Sequence, residues 1–311
     1  MPFHGVAMNY AFDDAAAAGR HETQYFEIVC NRGIYHQGWS AVTRHSIPWL
    51  AAQMPVFDDD TWELYDTTSD WTQAHDLAAV HPEKLHELQR LFLIEAVKYG
   101  ALPLDDRRVE RFLAEIAGRP ELITGTSQLL FGGMSRLSES SIINTKNVSH
   151  SITADIVVPA PDTTGVLVAQ GGAFGGWSLY LLEGRPTYCY NLFGIQRTFV
   201  RGNDPVSPGH HQVRSEFAYD GGLGGGADLT LFVNGAPVGR ERLERSTPLV
   251  YSYDETTDVG SDGGSTVSDE YGQTDNRFPG TVNWVQIDVG TDDADHLISP
   301  DERWRVSMAR Q

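Results

Sequence analysis

The sequence predicts an α+β chain in which a small antiparallel sheet with a helix is followed by an all-β sandwich or jelly-roll domain. Three observations carry this prediction. Short aromatic strands separated by turns occupy residues 25 to 50, the apolar period then lengthens to that of a helix, and from about residue 125 period-two alternation returns, broken by Gly, Asn and Asp turns. At 311 residues the chain is long enough for more than one buried core, so two domains are expected.

Residues 1 to 20 read as an alanine-rich linker. From there to about residue 120 the α+β part is expected. Tyr25, Phe26, Ile28 and Val29 form a strand that runs into a turn at Asn31 to Gly33; Ile34 and Tyr35 follow, then a turn at Gln37 and Gly38. After the stretch WELYDTTSDWTQAHDLA, the residues Leu85, Leu88, Phe92, Ala96 and Tyr99 fall on one face of a helix over 83 to 99. Pro82 suits the first helical turn, where its missing N–H is unneeded, and Gly100 suits an end cap. Val109, Phe112, Leu113 and Ile116 suggest a shorter helix closed by Gly118 and Pro120.

The sandwich is expected over residues 125 to 291. Ile152, Ala154, Ile156 and Val158 alternate with Ser151, Thr153 and Asp155, which gives a strand one apolar face and one polar face. Trp177, Leu179 and Leu181 repeat the pattern before a turn at Gly184. Leu229, Leu231 and Val233 lead into Asn234-Gly235, a strong hairpin signal, because both residues tolerate the positive φ that a type I′ turn requires. Val285, Ile287 and Val289 close the series, and 292 to 311 read as a tail.

Composition excludes several functions. Lys and Arg total 23 against 42 Asp and Glu, a formal charge of −19 that repels nucleic acid and anionic membrane surfaces, and no basic run interrupts it. Neither class of partner is expected. Cys30 and Cys189 lie far apart with no CxxC spacing, so they read as packed thiols rather than as metal ligands or a disulfide framework. No secretory leader and no run of about 20 apolar residues is seen. A cytoplasmic location is expected, or a periplasmic one if the N-terminus is truncated.

The blocks QYFEIVCNRGIYHQGWSAVTRHSIPW, WELYDTTSDWTQAHDLA, KYGALPLDDR, SHSITADIVVP, GVLVAQGGAFGGWSLYL, YNLFGIQRTFV and DETTDVGSDGGSTVSDEYG resemble the C-terminal part of bacterial arylsulfatases of the type I sulfatase family. The resemblance implies that 1 to 20 is a remnant of a catalytic domain, 20 to 120 a C-terminal subdomain, and 125 to 291 a β-rich extension. The family's activity requires a formylglycine nucleophile and a calcium ion in one pocket. Both are expected only in the complete enzyme, and this chain is expected to hold no cofactor. Cys30 is followed by Asn31-Arg32-Gly33 and Cys189 by Tyr190-Asn191-Leu192, neither of which is the modified motif. Asp13-Asp14 and Asp275-Asn276 imitate the family's ligand pairs in letters only. A C-terminal fragment, inactive alone, is implied; its partners would be a separate sulfatase catalytic region and a sulfated small molecule or glycan.

Arg32, His36, Arg44 and His45 are candidate substrate-binding residues at the rim of such a cleft, although packing and turn capping are the preferred reading. Tyr188 and Tyr190 are candidate glycan-binding rings if their sheet face is exposed, since a module that binds a plain or sulfated glycan through the sandwich is the alternative function. A hydrolase acting through a site not recognised in the sequence is a third reading. Asp254, Glu255, Asp258, Asp262 and Asp269 offer oxygen donors but lack the spacing of a calcium loop, so a solvated turn is preferred and no metal residue is assigned. Gly222, Gly224 and Ala227 match a dinucleotide fingerprint in letters only, since a strand follows them. Asn147 begins an N-x-S sequon that is given no role.

Overall fold

The computed structural model describes residues 5–47, 55–107, 118, 122–290 and 296–308. The chain divides into two compact units, Met1–Arg111 and Phe112–Gln311.

In the first unit β1 (Thr23–Ile28), β2 (Asn31–His36), β3 (Trp39–Thr43) and β4 (Trp62–Asp66) form a four-stranded antiparallel meander in chain order. The first turn lies at Val29-Cys30 rather than at Asn31 to Gly33, which belong to β2. Both turn residues have positive φ, as a two-residue type I′ hairpin requires. Val29 is a β-branched residue that ordinarily avoids this region. The turn is held from outside: Cys30 N donates to Glu27 Oε1 at 2.6 Å and Asn31 Nδ2 to the Ile28 carbonyl at 3.1 Å. The second turn is Gln37-Gly38, as expected.

Helix α1 (Pro82–Lys98) has Pro82 in its first turn and covers one face of this sheet. Leu88, Phe92 and Ala96, spaced four residues apart, meet Ile34, Ala41 and Leu64, and the Phe92 ring lies 5.3 Å from Tyr25 and 5.7 Å from Trp62. The shorter helix expected from Val109 to Ile116 falls outside the described residues.

The second unit is a two-sheet sandwich. Its strands are β5 (Ser127–Phe131), β6 (His150–Val158), β7 (Gly165–Gly172), β8 (Gly175–Leu182), β9 (Arg185–Leu192), β10 (Gln196–Arg201), β11 (Gly209–Tyr219), β12 (Ala227–Val233), β13 (Ala236–Leu243), β14 (Thr257–Val259) and β15 (Thr281–Val289). Five strands run in the order β10-β9-β8-β7-β14 and six in the order β13-β12-β11-β6-β15-β5, antiparallel throughout. The hairpin at Asn234-Gly235 has φ of 50° and 80°, the type I′ geometry its sequence calls for.

Period-two alternation turns Ile152, Ala154 and Ile156 of β6, Leu229 and Leu231 of β12, and Val285 and Ile287 of β15 inward, against Trp177, Leu179, Tyr188 and Tyr190 of the smaller sheet. Each fully buried side chain of this size contributes about 1.5–3 kcal/mol. The opposite face of the smaller sheet carries Val166, Ala169, Tyr180 and Cys189 and is roofed by Val267 and Tyr271 from the loop that follows β14.

The segment expected to be a tail contains a second helix, α2 (Pro300–Met308). Its start is a reciprocal cap: Ser299 N donates to Glu302 Oε2 at 2.8 Å and Glu302 N to Ser299 Oγ at 3.2 Å. Ser299-Pro300-Asp301-Glu302 spells this signal in the sequence.

Candidate functional site

The structure draws two of the four basic candidates together and separates the others. Arg32 of β2 forms an ion pair with Asp60, whose carboxylate also accepts His45 Nδ1 at 2.9 Å. His45 is buried and stacks on Phe57 at 4.3 Å, while the Arg32 guanidinium lies over Phe57 and Trp62. Asp60 thus occupies the anion position that an external sulfate would need. His36 ends β2, bonded through Nδ1 to Thr23 Oγ1 at 2.8 Å, and faces an open groove of about 670 Å³ along α1 with His86, Glu87 and Arg90. Arg44 stands exposed beyond β3.

Tyr188 and Tyr190 are each 1% exposed. Alternation sends both into the inter-sheet core with Trp177, so neither ring is available to stack on a sugar, and that expectation is corrected. The acidic loop also departs from a solvated turn. Asp258 and Asp262 are buried, while Asp254 and Asp269 remain exposed. Asp262 Oδ2 accepts from Tyr271 Oη at 2.6 Å and from Val267 N at 2.9 Å. Asn276 clamps the same loop, accepting from Asp262 N and donating to the Asp262 carbonyl. Burial in the first place, with the Asp258 and Glu255 charges adding to it, pushes the Asp262 carboxyl up to about 6. Among the described residues no group of three or more His, Cys, Asp or Glu side chains is placed to hold a metal.

The outer face of the six-stranded sheet has the features of a binding site. Strand registers place its side chains in three rows: Glu216, Ser151, Asp288 and Ser127; Arg214, Thr153, Gln286 and Leu129; Gln212, Asp155, Trp284 and Phe131. The face is polar, yet Ser151, Thr153, Asp155, Arg214 and Gln286 are buried. A C-terminal strap covers part of it. His296 stacks on Phe232 at 4.2 Å and bonds Glu216 at 2.6 Å, Gln212 pairs through both side-chain atoms with the Ile298 backbone, and Arg303 lies over the Trp284 ring.

Between sheet and strap lies a cleft of about 270 Å³. Its sheet side is Ser127, Ser151, Gln286 and Asp288, and its strap side is Ile298, Glu302, Arg305 and Val306. Asp288 Oδ1 accepts from Ser127 Oγ at 2.5 Å and from Gln286 Nε2 at 3.0 Å. Ser151 Oγ and Gln286 Oε1 are buried without a hydrogen-bond partner. A polar atom so placed costs about 1–3 kcal/mol when nothing satisfies it, so two such atoms on residues of one cleft set this face apart.

No protein-family model matches the sequence, and no curated protein matches it. Among solved structures, the CBM40 of Ruminococcus gnavus IT-sialidase aligns with 60% of this chain and 99% of its own, at 13% identity and a TM-score of 0.36. The leech intramolecular trans-sialidase complexed with 2,7-anhydro-Neu5Ac aligns over 59% of this chain at 13% identity and a TM-score of 0.35, and the alignment spans 27% of that protein. Domains LG4-5 of the mouse laminin alpha1 chain align over 53% of this chain and 39% of theirs, at 16% identity and a TM-score of 0.33. Likeness at this level assigns no function.

These findings correct the arylsulfatase resemblance. Neither a family model nor a curated relative supports it, and none of the three solved structures is a sulfatase. The helix-on-sheet unit exists, but its attribution to a sulfatase subdomain falls, and with it the hydrolase fragment and the separate catalytic partner. Ser151 appears in the sequence only as a polar position between apolar ones, and Gln286 and Asp288 are the corresponding outward positions of β15. Alternation identifies such residues as outward; their convergence on one cleft needs the register.

Proposed function

We propose that the second unit is a carbohydrate-binding module that takes a single sugar ring in the cleft between the six-stranded sheet and the C-terminal strap. The observation that carries this reading is a pair of buried, unpartnered polar atoms, Ser151 Oγ and Gln286 Oε1, on two of the residues that line that cleft. Sugars present hydroxyls around a ring whose faces are largely C–H. The cleft offers the matching mixture, with Ser, Gln and Asp side chains on the sheet and Ile298 and Val306 on the strap. Its volume suits one ring rather than a chain of them.

The test is a calorimetric titration of the full chain with neutral methyl glycosides. Ser151→Ala and Gln286→Ala are each expected to weaken binding about five-fold, the worth of one ordinary hydrogen bond, with the far-UV spectrum unchanged. Binding unaffected by either substitution, or no binding at all, would overturn the assignment. The six-stranded sheet and not the aromatic smaller sheet is therefore the surface to probe.

A further inference from the structure

We propose that one end of the five-stranded sheet is a lipid-docking tip that seats the protein on a zwitterionic membrane surface, independently of the sugar cleft. Three loops meet there. Because β8 pairs beside β9 with Gly176 opposite Asn191, the β7–β8 turn at Ala173-Phe174 and the β9–β10 turn at Phe193 to Ile195 lie side by side. Gly194 lets them touch: a methyl group on its Cα would stand 2.8 Å from the Ala173 carbonyl oxygen and 3.7 Å from Phe174 Cα. The segment leading into β14 runs against the first turn, with the Tyr251 carbonyl packed on Gly175 and the Glu255 side chain on Gly172.

The side chains that these loops present are apolar and face outward. Phe174 is 74% exposed, Ile195 86% and Tyr253 76%. Such residues scattered singly over a surface are ordinary, but a group of them on adjoining loops marks an interaction site. Phe193 is a second sign. Its φ is 53°, a region that a bulky side chain avoids and that asparagine or glycine adopts readily, yet the ring stays half-exposed and gains little from the core in return.

Backbone pairing and charge favour lipid over a protein partner. A turn can enter an apolar phase only if its polar groups are already satisfied. Asn191 does most of this: its Nδ2 donates to the Gly172 and Ala173 carbonyls at 2.9 and 3.0 Å, and its Oδ1 accepts from Gly194 N at 3.0 Å. Ala173 N donates to Ser265 Oγ, and Ile195 N to the Leu192 carbonyl. Tyr253 combines an apolar ring with a polar tip, as suits the headgroup level. Residues 172–175 and 192–196 carry no charge. Arg197, which follows them, donates its Nε to the Val267 carbonyl and lies 4.0 Å from the Asp269 carboxylate, while Asp254 stands exposed next to Tyr253. An anionic headgroup would meet no basic side chain from these turns and an overall charge of −19, whereas a zwitterionic bilayer is not repelled.

The experiment is co-sedimentation of the full chain with phosphatidylcholine vesicles and with the same vesicles containing added phosphatidylserine. Binding to the first is expected, with a several-fold loss on the second that high salt relieves. Phe174→Ser and Ile195→Ser change exposed positions, so thermal unfolding should be unchanged while each weakens vesicle binding about ten-fold. Phe193→Asn, which tolerates the turn's φ, should weaken it similarly. Sugar binding should be unaffected by all three, so the tip and the cleft stand or fall separately. No vesicle binding by the folded full chain, or binding that none of the three substitutions weakens, would overturn the proposal. So would a dimer in sedimentation velocity that Ile195→Ser disperses without any vesicle binding by wild type, since the tip would then belong to a second copy of the chain.

Discussion

Tyr271 donates its phenolic hydrogen to Asp262 at 2.6 Å beneath the loop that roofs the smaller sheet, and Asp262 also accepts the backbone N–H of Val267 through the same oxygen. One carboxylate oxygen thus closes a loop from Asp262 to Tyr271 over buried apolar surface. The arrangement explains how the Asp262 side chain comes to lie inside the protein.

It also makes stability depend on pH. The Asp262 carboxyl is raised from 3.8 to about 6 in the folded state, so folding retains its proton more tightly than the unfolded chain does. The resulting stabilisation is fully present below about pH 4 and is lost as pH rises through about 6, a difference on the order of 3 kcal/mol. Asp262→Asn keeps one oxygen to accept both bonds and removes the charge. Urea denaturation should find this variant more stable than wild type at pH 7, with the advantage shrinking toward pH 4; an equal advantage at both would refute the account.

Tyr188 tests the division between core and site. Its hydroxyl is buried without a hydrogen-bond partner, so Tyr188→Phe should be neutral or stabilising by about 1 kcal/mol, whereas Tyr188→Ala should cost about 3–5 kcal/mol through the cavity it leaves. Sugar binding by Tyr188→Phe should equal that of wild type in the same titration.

Asp60 holds Arg32 and His45 together in a largely buried setting. Asp60→Ala would leave Arg32 and His45 without their shared carboxylate and should destabilise the first unit by about 3–5 kcal/mol in thermal unfolding. If the loss were below about 1 kcal/mol, the cluster would be acting as an ordinary exposed ion pair.

Both cysteines are fully buried, and burial pushes the Cys189 thiol up to about 12. An aromatic disulfide reagent at pH 8 should therefore modify neither residue in the native protein within minutes and both in denaturant. Rapid native labelling of Cys189 would show that the roof formed by the acidic loop opens.

Much of the local structure was legible. The helix expected over 83 to 99 is α1 at Pro82–Lys98, because proline in the first turn and a four-residue apolar spacing act through neighbours along the chain. The Asn234-Gly235 hairpin follows from the φ values those residues tolerate. Legibility ended where a side chain's role depends on what covers it. Val29-Cys30 makes an unlikely pair for a type I′ turn until Glu27 and Asn31 are seen holding it, and Tyr188 reads as a sugar-stacking ring until its face is known to be the inner one. The resemblance drawn from sequence blocks went furthest astray, because shared letters carry no register and no partner.

By itself, then, the amino-acid order determined which residues form strands, helices and turns, and which side of each strand is apolar, because those preferences are set by φ, ψ and the two side-chain periods. Only the tertiary structure decided which polar positions meet. Ser151 and Gln286 are 135 residues apart, and they share a cleft because β15 pairs beside β6 with Thr153 opposite Gln286 and Ser151 opposite Asp288. That register is chosen by the burial of Ile152, Ala154, Val285 and Ile287 on the other side of the sheet, so the packing of the core sets the chemistry of the face.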